Sequence, residues 1–512
     1  MSQPTDKKKA RAAALKRLAS APRGKGKEAG QGGAGTERRA RPAQAFDGRT
    51  AGARPSSQAR TGNAGARRSA RPDAPRLAPA AIRIQQVQQV LDRVLTWEFP
   101  ADAVLSRWLR EHPKLGARDR AETAEAVFDV LRHLRRYRHY AQGGPVAHAR
   151  CLAILGLASV LPAEKLEAGL ALEETQWLQH VRSIDTAKLP RGVRWSVPDW
   201  LQARLETLES PESLMAALNQ PAALDLRINP LKAPSRDAVL VQLRELAPAS
   251  DPQPMPYSPW GIRLKGRPAV NRWEAFLKGE LEVQDEGSQL LAALVAPKRG
   301  EMVIDYCAGA GGKTLLLGAL MRSTGRLYAF DVSAARLARA KPRFARSGLS
   351  NVVSVAIAPS NDTRVRRLHG KAQRVLIDAP CSGLGTLRRS PDLKWRQQPE
   401  SLEQLRAVQA DLLEQASRCL APGGRLVYAT CSVLPEENEQ QIEAFLRKHP
   451  EFSLQDAGQI LADRCKNLTF DGPFLKLRPD VHQTDGFFAA VLAKAGAGAA
   501  AAPEENEAVS QA

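Results

Sequence analysis

From residue 81 the chain alternates between two hydrophobic rhythms. In AIRIQQVQQVLDRVLTW (81–97), Ile84, Val87, Val90/Leu91 and Val94/Leu95 recur at helical spacing, which predicts a helix ended by Phe99-Pro100. A second helix is expected from Asp102 to Leu109. A third follows a cap at Asp119, with Ala124, Val127/Phe128, Leu131 and Leu134 on one face. Further helices fit 147–160 and 163–180, so 81–190 reads as an all-helical domain. The region 191–280 changes rhythm. A short helix opens at Val197–Leu201, LDLRINPLK (224–232) alternates as a strand, and a helix (235–246) and a strand (261–264) follow. This is a small α+β module, with Arg227, Asn229 and Lys232 expected on its polar face. In 281–494 strands and helices alternate. MVIDYC, RLYAF, NVVSVAI, RVLID and GRLVYAT are separated by helical stretches, and a strand pair closes the region near FLKLRP and GFFAAVLA. That order predicts an α/β, doubly wound, mostly parallel sheet.

Residues 1–80 break both rhythms. Leu15, Leu18, Phe46 and Leu77 are nearly their only large apolar residues, so a disordered arm is expected. Of the net charge of +21 on 512 residues, this arm carries +14 and the remainder +7. A basic excess of this size fits RNA or another polyanion as partner. The Ala/Gly/Glu stretch at 495–512 reads as a tail. Arg132, Arg135, Arg136 and Arg138 give the third helix a basic side that is a candidate RNA contact.

Composition excludes other classes. The six cysteines show no CxxC pair, so neither a disulfide scaffold nor a structural metal site is expected. No apolar run reaches membrane-spanning length, and the N-terminus lacks a secretory core. A cytoplasmic monomer with reduced thiols and no membrane partner is the expectation.

The candidate chemistry begins at Asp305-Tyr306-Cys307-Ala308-Gly309-Ala310-Gly311-Gly312-Lys313-Thr314, a Gly-rich turn between a strand and a helix. A P-loop would need Gly at 307, which is Cys, and a dinucleotide fingerprint would need Gly or Ala at 314, which is Thr. A methyltransferase turn is the third reading. Asp331 ends the next strand, where an acid can accept both ribose hydroxyls of a nucleoside ligand. Downstream, RVLID runs into Asp378-Ala379-Pro380-Cys381-Ser382 and GRLVYAT into Cys431-Ser432. The carboxyl ends of parallel strands face the ligand crevice, so the two cysteines should converge on one cleft.

The stretches QDEGSQ (284–289), DYCAGAGGKT (305–314), DAPCSGLGTLRRSPDLKW (378–395), TCSVLPEENE (430–439) and DGFFAA (485–490) resemble the Sun/NOP2/RsmB family of RNA cytosine-5 methyltransferases, most nearly its bacterial 16S rRNA members. The resemblance implies a Rossmann-like class I methyltransferase domain at 281–494. It also implies an RNA-binding module at 191–280 and a NusB-like RNA-binding domain at 81–190. It assigns Cys431 as the nucleophile at cytosine C6, Cys381 as the residue that helps release the product, and Asp378 as the base-edge contact. It carries S-adenosyl-L-methionine to Cys307, Ala308, Gly309, Ala310, Gly311, Gly312 and Lys313. Asp331 would hold the ribose and Asp362, or Asn361 in its place, the adenine side. Arg336 and Asp378 would border the donor. Lys313, Arg388, Arg389 and Lys394 are candidates for positive surroundings or phosphate contacts. The family usually has CAAPGGK where this chain has CAGAGGK, so a more flexible turn is expected around Gly309 and Ala310. The implied activity is formation of 5-methylcytosine in rRNA. A tRNA methyltransferase and a non-catalytic, RNA-binding ribosome assembly factor are the alternatives.

Overall fold

The computed structural model describes residues 78–465 and 467–496. Most of the arm expected at 1–80 and of the tail expected at 495–512 lies outside them.

The helical unit begins at Pro79, whose fixed φ suits a first helical position, and contains the helices Pro79–Val94, Ala101–Glu111, Ala117–Arg132, Leu134–Ala141, His148–Ala158 and Leu172–Ser183. Ile84, Val87, Val90 and Leu91 are fully buried in its core, as their spacing requires. One local expectation is corrected. Asp119 is not a cap: its helix starts at Ala117 behind Gly116, and Asp119 pairs across to Arg83. The expected third stripe faces the core, with Val127, Leu131 and Leu134 buried and Ala124 and Phe128 half-buried against it, although Leu134 opens the following helix.

The next unit carries a four-stranded antiparallel sheet in the order β2-β3-β1-β4, with β1 Leu224–Ile228, β2 Gln253–Pro254, β3 Gly261–Leu264 and β4 Leu281–Val283. β4 lies just past the boundary expected at 280. Arg227 and Asn229 do not face solvent. Both are buried, Arg227 donating to Gln284 Oε1 at 2.6 Å and Asn229 Nδ2 to the Gly279 and Ser347 carbonyls. Lys232 Nζ donates to the Lys278 and Arg346 carbonyls. These groups dock the module onto the α/β domain.

That domain is built on an eight-stranded sheet ordered β10-β12-β9-β8-β5-β6-β7, with β11 paired to β12. Its strands are β5 Met302–Asp305, β6 Arg326–Asp331, β7 Val352–Ala356, β8 Ala372–Asp378, β9 Leu420–Thr430, β10 Phe452–Gln455, β11 Leu475–Leu477 and β12 Phe487–Lys494. β5 to β9 pair in parallel, while β12 is antiparallel to β9, β10 and β11. Val375, Leu376 and Ile377 in β8 and Leu426 to Ala429 in β9 are fully buried, the unbroken apolar run of strands covered on both faces. β10 has no counterpart in the sequence reading. It is short, and its Phe452-Ser453-Leu454-Gln455 alternation is brief.

The segment 384–396 joins the units. Trp395 Nε1 donates to the Leu131 carbonyl at 2.7 Å, and the Asp392 carboxylate accepts from the Ala101 N–H. Leu384, Leu387 and Leu402 pack with Trp195, Val197 and Leu201. Lys394 is fully buried, its ammonium bonded to the Arg132 carbonyl at 2.7 Å and to Asn219 Oδ1 at 3.0 Å. Arg132 is buried as well and donates to the Arg388 carbonyl, and Arg135 pairs with Asp199. Half of the basic run at 132–138 is therefore structural.

Candidate functional site

β5 stops at Asp305 and the chain turns through Cys307–Gly311 into the helix Gly312–Leu320. Three contacts shape the turn. The Ala308 N–H reaches back to the Phe330 carbonyl of β6, and the Gly311 N–H closes on the Ala308 carbonyl, both at 2.8 Å. Gly309 takes a positive φ and donates its N–H to Asp331 Oδ2 at 2.8 Å. Gly311 sits at φ 80° with Phe344 beneath it, where a Cβ would come within 2.5 Å of the ring. At Gly309 and Gly312 a Cβ would meet nothing within 4 Å. The turn is thus closed on its packed side and open on the other.

The open side faces a cavity of about 590 Å³. Cys307 through Ala310, Gly312, Asp331 and Arg336 line it beside the turn, Lys313 reaches across to Asp378, and Cys381 and Cys431 line it beyond the ends of β8 and β9. Asp331 is held by the Ser333 N–H at 2.7 Å, with Arg336 Nη2 at 3.4 Å from its Oδ1. Asp305, beneath the turn, accepts from Thr314 Oγ1 at 2.6 Å, and its other oxygen has no partner. Burial first, then the Asp378 charge, pushes its carboxyl up to about 7, so it is readily protonated.

Beyond those strand ends, Cys381 Sγ and Cys431 Sγ lie 3.3 Å apart. The loops that carry them are interlaced. The Gly385 N–H donates to the Cys431 carbonyl at 2.9 Å, and the Gly486 N–H to the Gly385 carbonyl at 2.8 Å. A Cβ at Gly385 would lie 2.1 Å from the Gly486 oxygen, so only glycine fits. The serines that follow the cysteines also meet, with Ser382 Oγ 3.2 Å from Ser432 Oγ. Glu437, fully buried, accepts from the Ser382 N–H at 2.8 Å and the Ser382 hydroxyl at 2.5 Å.

The Cys381 thiol is held well above the usual range, first by its hydrogen bond to Cys431 and then by burial. Lys313 Nζ lies 2.7 Å from Asp378 Oδ2. Burial works against the Lys313 charge, but the charges of Asp378, Cys431 and Asp305 outweigh it and raise its pKa. A buried cation thus sits near Cys431.

The family described as 16S rRNA methyltransferase RsmB/F matches residues 292–493. "Probable ribosomal RNA small subunit methyltransferase B" of Synechocystis is 37% identical over 316 residues, 61% of this chain and 70% of that one. The chain belongs to the RsmB/F methyltransferase family. "Ribosomal RNA small subunit methyltransferase B" of Yersinia pseudotuberculosis is 36% identical over 302 residues, 58% of this chain and 66% of that one. The crystal structure of a methyltransferase homolog protein from Pyrococcus horikoshii superposes with a TM-score of 0.51 and 28% identity, over 61% of this chain and 100% of that one.

Not every residue singled out in this RsmB/F sequence reaches the cavity. Gly311 is turned onto Phe344 and does not line it. Asp362 does not line it either. Its carboxylate accepts from the Ala358 and Arg364 N–H groups and pairs with the Arg364 guanidinium, which holds it well below the usual carboxylate range. Asn361, also off the cavity, has a positive φ. The segment that borders the cavity there is Ile357-Ala358-Pro359, so the acid closes the loop rather than facing a ligand.

Of the cations expected as positive surroundings or phosphate contacts, Lys313 and Arg389 border the cavity, while Arg388 and Lys394 do not. Arg389 bonds Asp485 Oδ2 at 2.6 Å and Asp285 Oδ2 at 2.7 Å, Arg388 donates to the Gln483 and Thr484 carbonyls, and Lys394 is the buried pin described above. The RsmB/F motifs QDEGSQ and DGFFAA thereby meet through Arg389. Sequence reasoning gave no role to Glu437, Asp285 or Asp485. The available signal was that each is an acid inside a quoted motif, next to a strand end or a helix start.

Proposed function

We propose that the protein transfers a methyl group from S-adenosylmethionine to C5 of a cytosine in RNA, with rRNA of the small subunit as substrate. The observation that carries this reading is the pair of cysteine sulfurs 3.3 Å apart in the same cavity as the glycine-rich turn. Names of relatives that act on small-subunit rRNA support the substrate class.

The residues fit the donor. Open glycines at 309 and 312 leave room for a bulky group against the backbone, and Asp331 at the end of β6 is placed for ribose hydroxyls. The donor supplies an electrophilic methyl on a sulfonium. Cytosine C5 is a weak nucleophile until C6 is saturated, and the chain's own groups perform that step. The Cys431 thiolate adds to C6, turning C5 into an enamine-like carbon. Asp378, ion-paired to Lys313, hydrogen-bonds the base edge and steadies the charge that develops on the ring. After C5 is methylated its proton passes to water, the C5–H electron pair re-forms the C5–C6 double bond, and the C6–sulfur bond breaks with Cys431 leaving as the thiolate. Cys381, 3.3 Å from Cys431, assists that release by hydrogen-bonding the departing sulfur. C6 of a stacked cytosine is out of reach, so the target base must be unpaired or flipped into the cavity. The helical unit (the NusB-like domain of the sequence reading) and the α+β module would hold the surrounding RNA.

The test is incubation with methyl-labelled S-adenosylmethionine and small-subunit rRNA lacking 5-methylcytosine. Label at cytosine C5 of that rRNA is expected. Label only in tRNA would transfer the reading to the tRNA alternative, and no label in any RNA would leave the assembly-factor reading.

A further inference from the structure

The cofactor turn has an unusual fastening. The Ala310 carbonyl accepts a hydrogen bond from Arg343 Nη1 at 2.6 Å. The same guanidinium donates through Nη2 to Glu282 Oε2 at 2.9 Å. Glu282 lies on β4 of the α+β module, is almost fully buried, and also pairs with Arg346. Arg343 belongs to the helix Ala334–Arg346, whose Phe344 and Ala340 pack under Gly311. One helix turn therefore supports the cofactor turn from below at Gly311 and grips it by the carbonyl at Ala310.

The far end of that helix is gripped by the module. Asn229 Nδ2 donates to the Ser347 carbonyl, and Lys232 Nζ to the Arg346 carbonyl. The Arg346 guanidinium lies 4.1 Å from the Phe276 ring centroid. Gly279 is so close that a Cβ would sit 2.2 Å from the Arg346 oxygen. A continuous set of contacts thus runs from β4 through Arg343 to the turn. Asp331 holds the Gly309 N–H, and Arg343 holds the neighbouring Ala310 carbonyl, so the two side chains fix successive residues of the turn.

We propose that Arg343 is a positioning residue for the methyl donor: by holding the Ala310 carbonyl against Glu282, it fixes the cofactor turn to the α+β module and sets donor affinity. The inference rests on the reading of the cavity as a donor site. It adds that the module serves the donor as well as the RNA. Proline, the usual residue at this position in the family, stiffens a turn through its own ring. In this chain Arg343, which itself borders the cavity, does that work from the helix after β6.

The experiment measures S-adenosylhomocysteine binding by calorimetry and KM for S-adenosylmethionine, in the full-length chain. Arg343→Ala should weaken both by about tenfold, the order of one charge-assisted hydrogen bond, with a much smaller change in kcat. Glu282→Gln, which keeps Arg343 but loosens its anchor, should give a smaller loss in the same direction. Adding Ala310→Pro to Arg343→Ala should recover most of the affinity, because a stiff turn no longer needs the grip. Unchanged affinity in Arg343→Ala overturns the inference, and so does a loss that proline fails to rescue, which would make Arg343 a direct ligand contact or a purely structural one. Failure of the unsubstituted protein to bind would instead overturn the donor-site reading. Thermal melting of each variant separates these results from unfolding.

Discussion

Cys381 Sγ and Cys431 Sγ lie 3.3 Å apart, beyond the ends of two neighbouring parallel strands. The two roles proposed for them give opposite outcomes on substitution. Cys431→Ala should lower methyl transfer at least about 10³-fold, because loss of a covalent nucleophile cannot be compensated by its neighbours. Cys381→Ala should leave Cys431 able to add to C6 but slow to leave. A protein–RNA adduct resistant to denaturing gel electrophoresis is the expected result. An adduct in Cys431→Ala instead would reverse the two roles.

Glu437 tests how the Cys381 loop is held. It accepts both the N–H and the hydroxyl of Ser382, and Gln409 donates to it at 3.0 Å. Glu437→Ala leaves buried donors unpaired, at a cost of about 2–3 kcal/mol in stability. Displacement of the adjacent Cys381 should show as slowed product release. Glu437→Gln retains an acceptor and should recover most of the stability. Urea unfolding and adduct accumulation measured side by side separate the two effects.

Lys394 tests the docking of the helical unit. Burial, with Arg132 and Arg136 nearby, drives its pKa well below the usual lysine range. Lys394→Ala should cost about 2–4 kcal/mol by opening a cavity and orphaning the Arg132 carbonyl and Asn219 Oδ1. Limited proteolysis should then cut more readily between the helical unit and the catalytic domain. An unchanged cleavage pattern would argue that Trp395, Asp392 and Arg132 carry the docking without it.

The catalytic sheet was legible because parallel strands buried on both faces write unbroken apolar runs, as in Val375-Leu376-Ile377, and because each functional turn follows such a run. The cysteine pair was legible for the same reason. What sequence could not supply was the destination of the charged side chains. Arg227, Arg389 and Lys394 look like solvent-facing or phosphate-facing cations in one dimension. In three they satisfy carbonyls and acids contributed by segments far away in the chain, and those partners have no local signature. Asp362 misled in the other direction. An acid after a strand suits a ligand, but its oxygens are taken by the N–H groups of its own loop. The grip of Arg343 on Ala310 was hidden likewise, since a basic residue late in a helix reads as a favourable dipole partner.

Buried carboxyls predict how stability responds to pH. Asp305 is pushed up to about 7 by burial, then by the Asp378 charge, and Glu286 to about 7 by burial. Both start from values near 4 in the unfolded chain, so the folded protein holds these protons more tightly. Their contribution to stability is complete below about pH 4 and is lost as pH rises through about 7. Other buried acids, such as Asp129 with its lowered pKa, run the opposite way, so the total curve mixes signs. A difference between variants removes that mixture. Asp305→Asn keeps an oxygen to accept from Thr314 Oγ1 but has no proton to lose. Relative to the unsubstituted protein, it should therefore gain stability steadily between pH 4 and 7, by on the order of 2–4 kcal/mol across that range. Urea unfolding at several pH values gives the difference directly. A flat difference would show that Asp305 stays ionised beneath the turn, with Lys313 rather than a proton neutralising it.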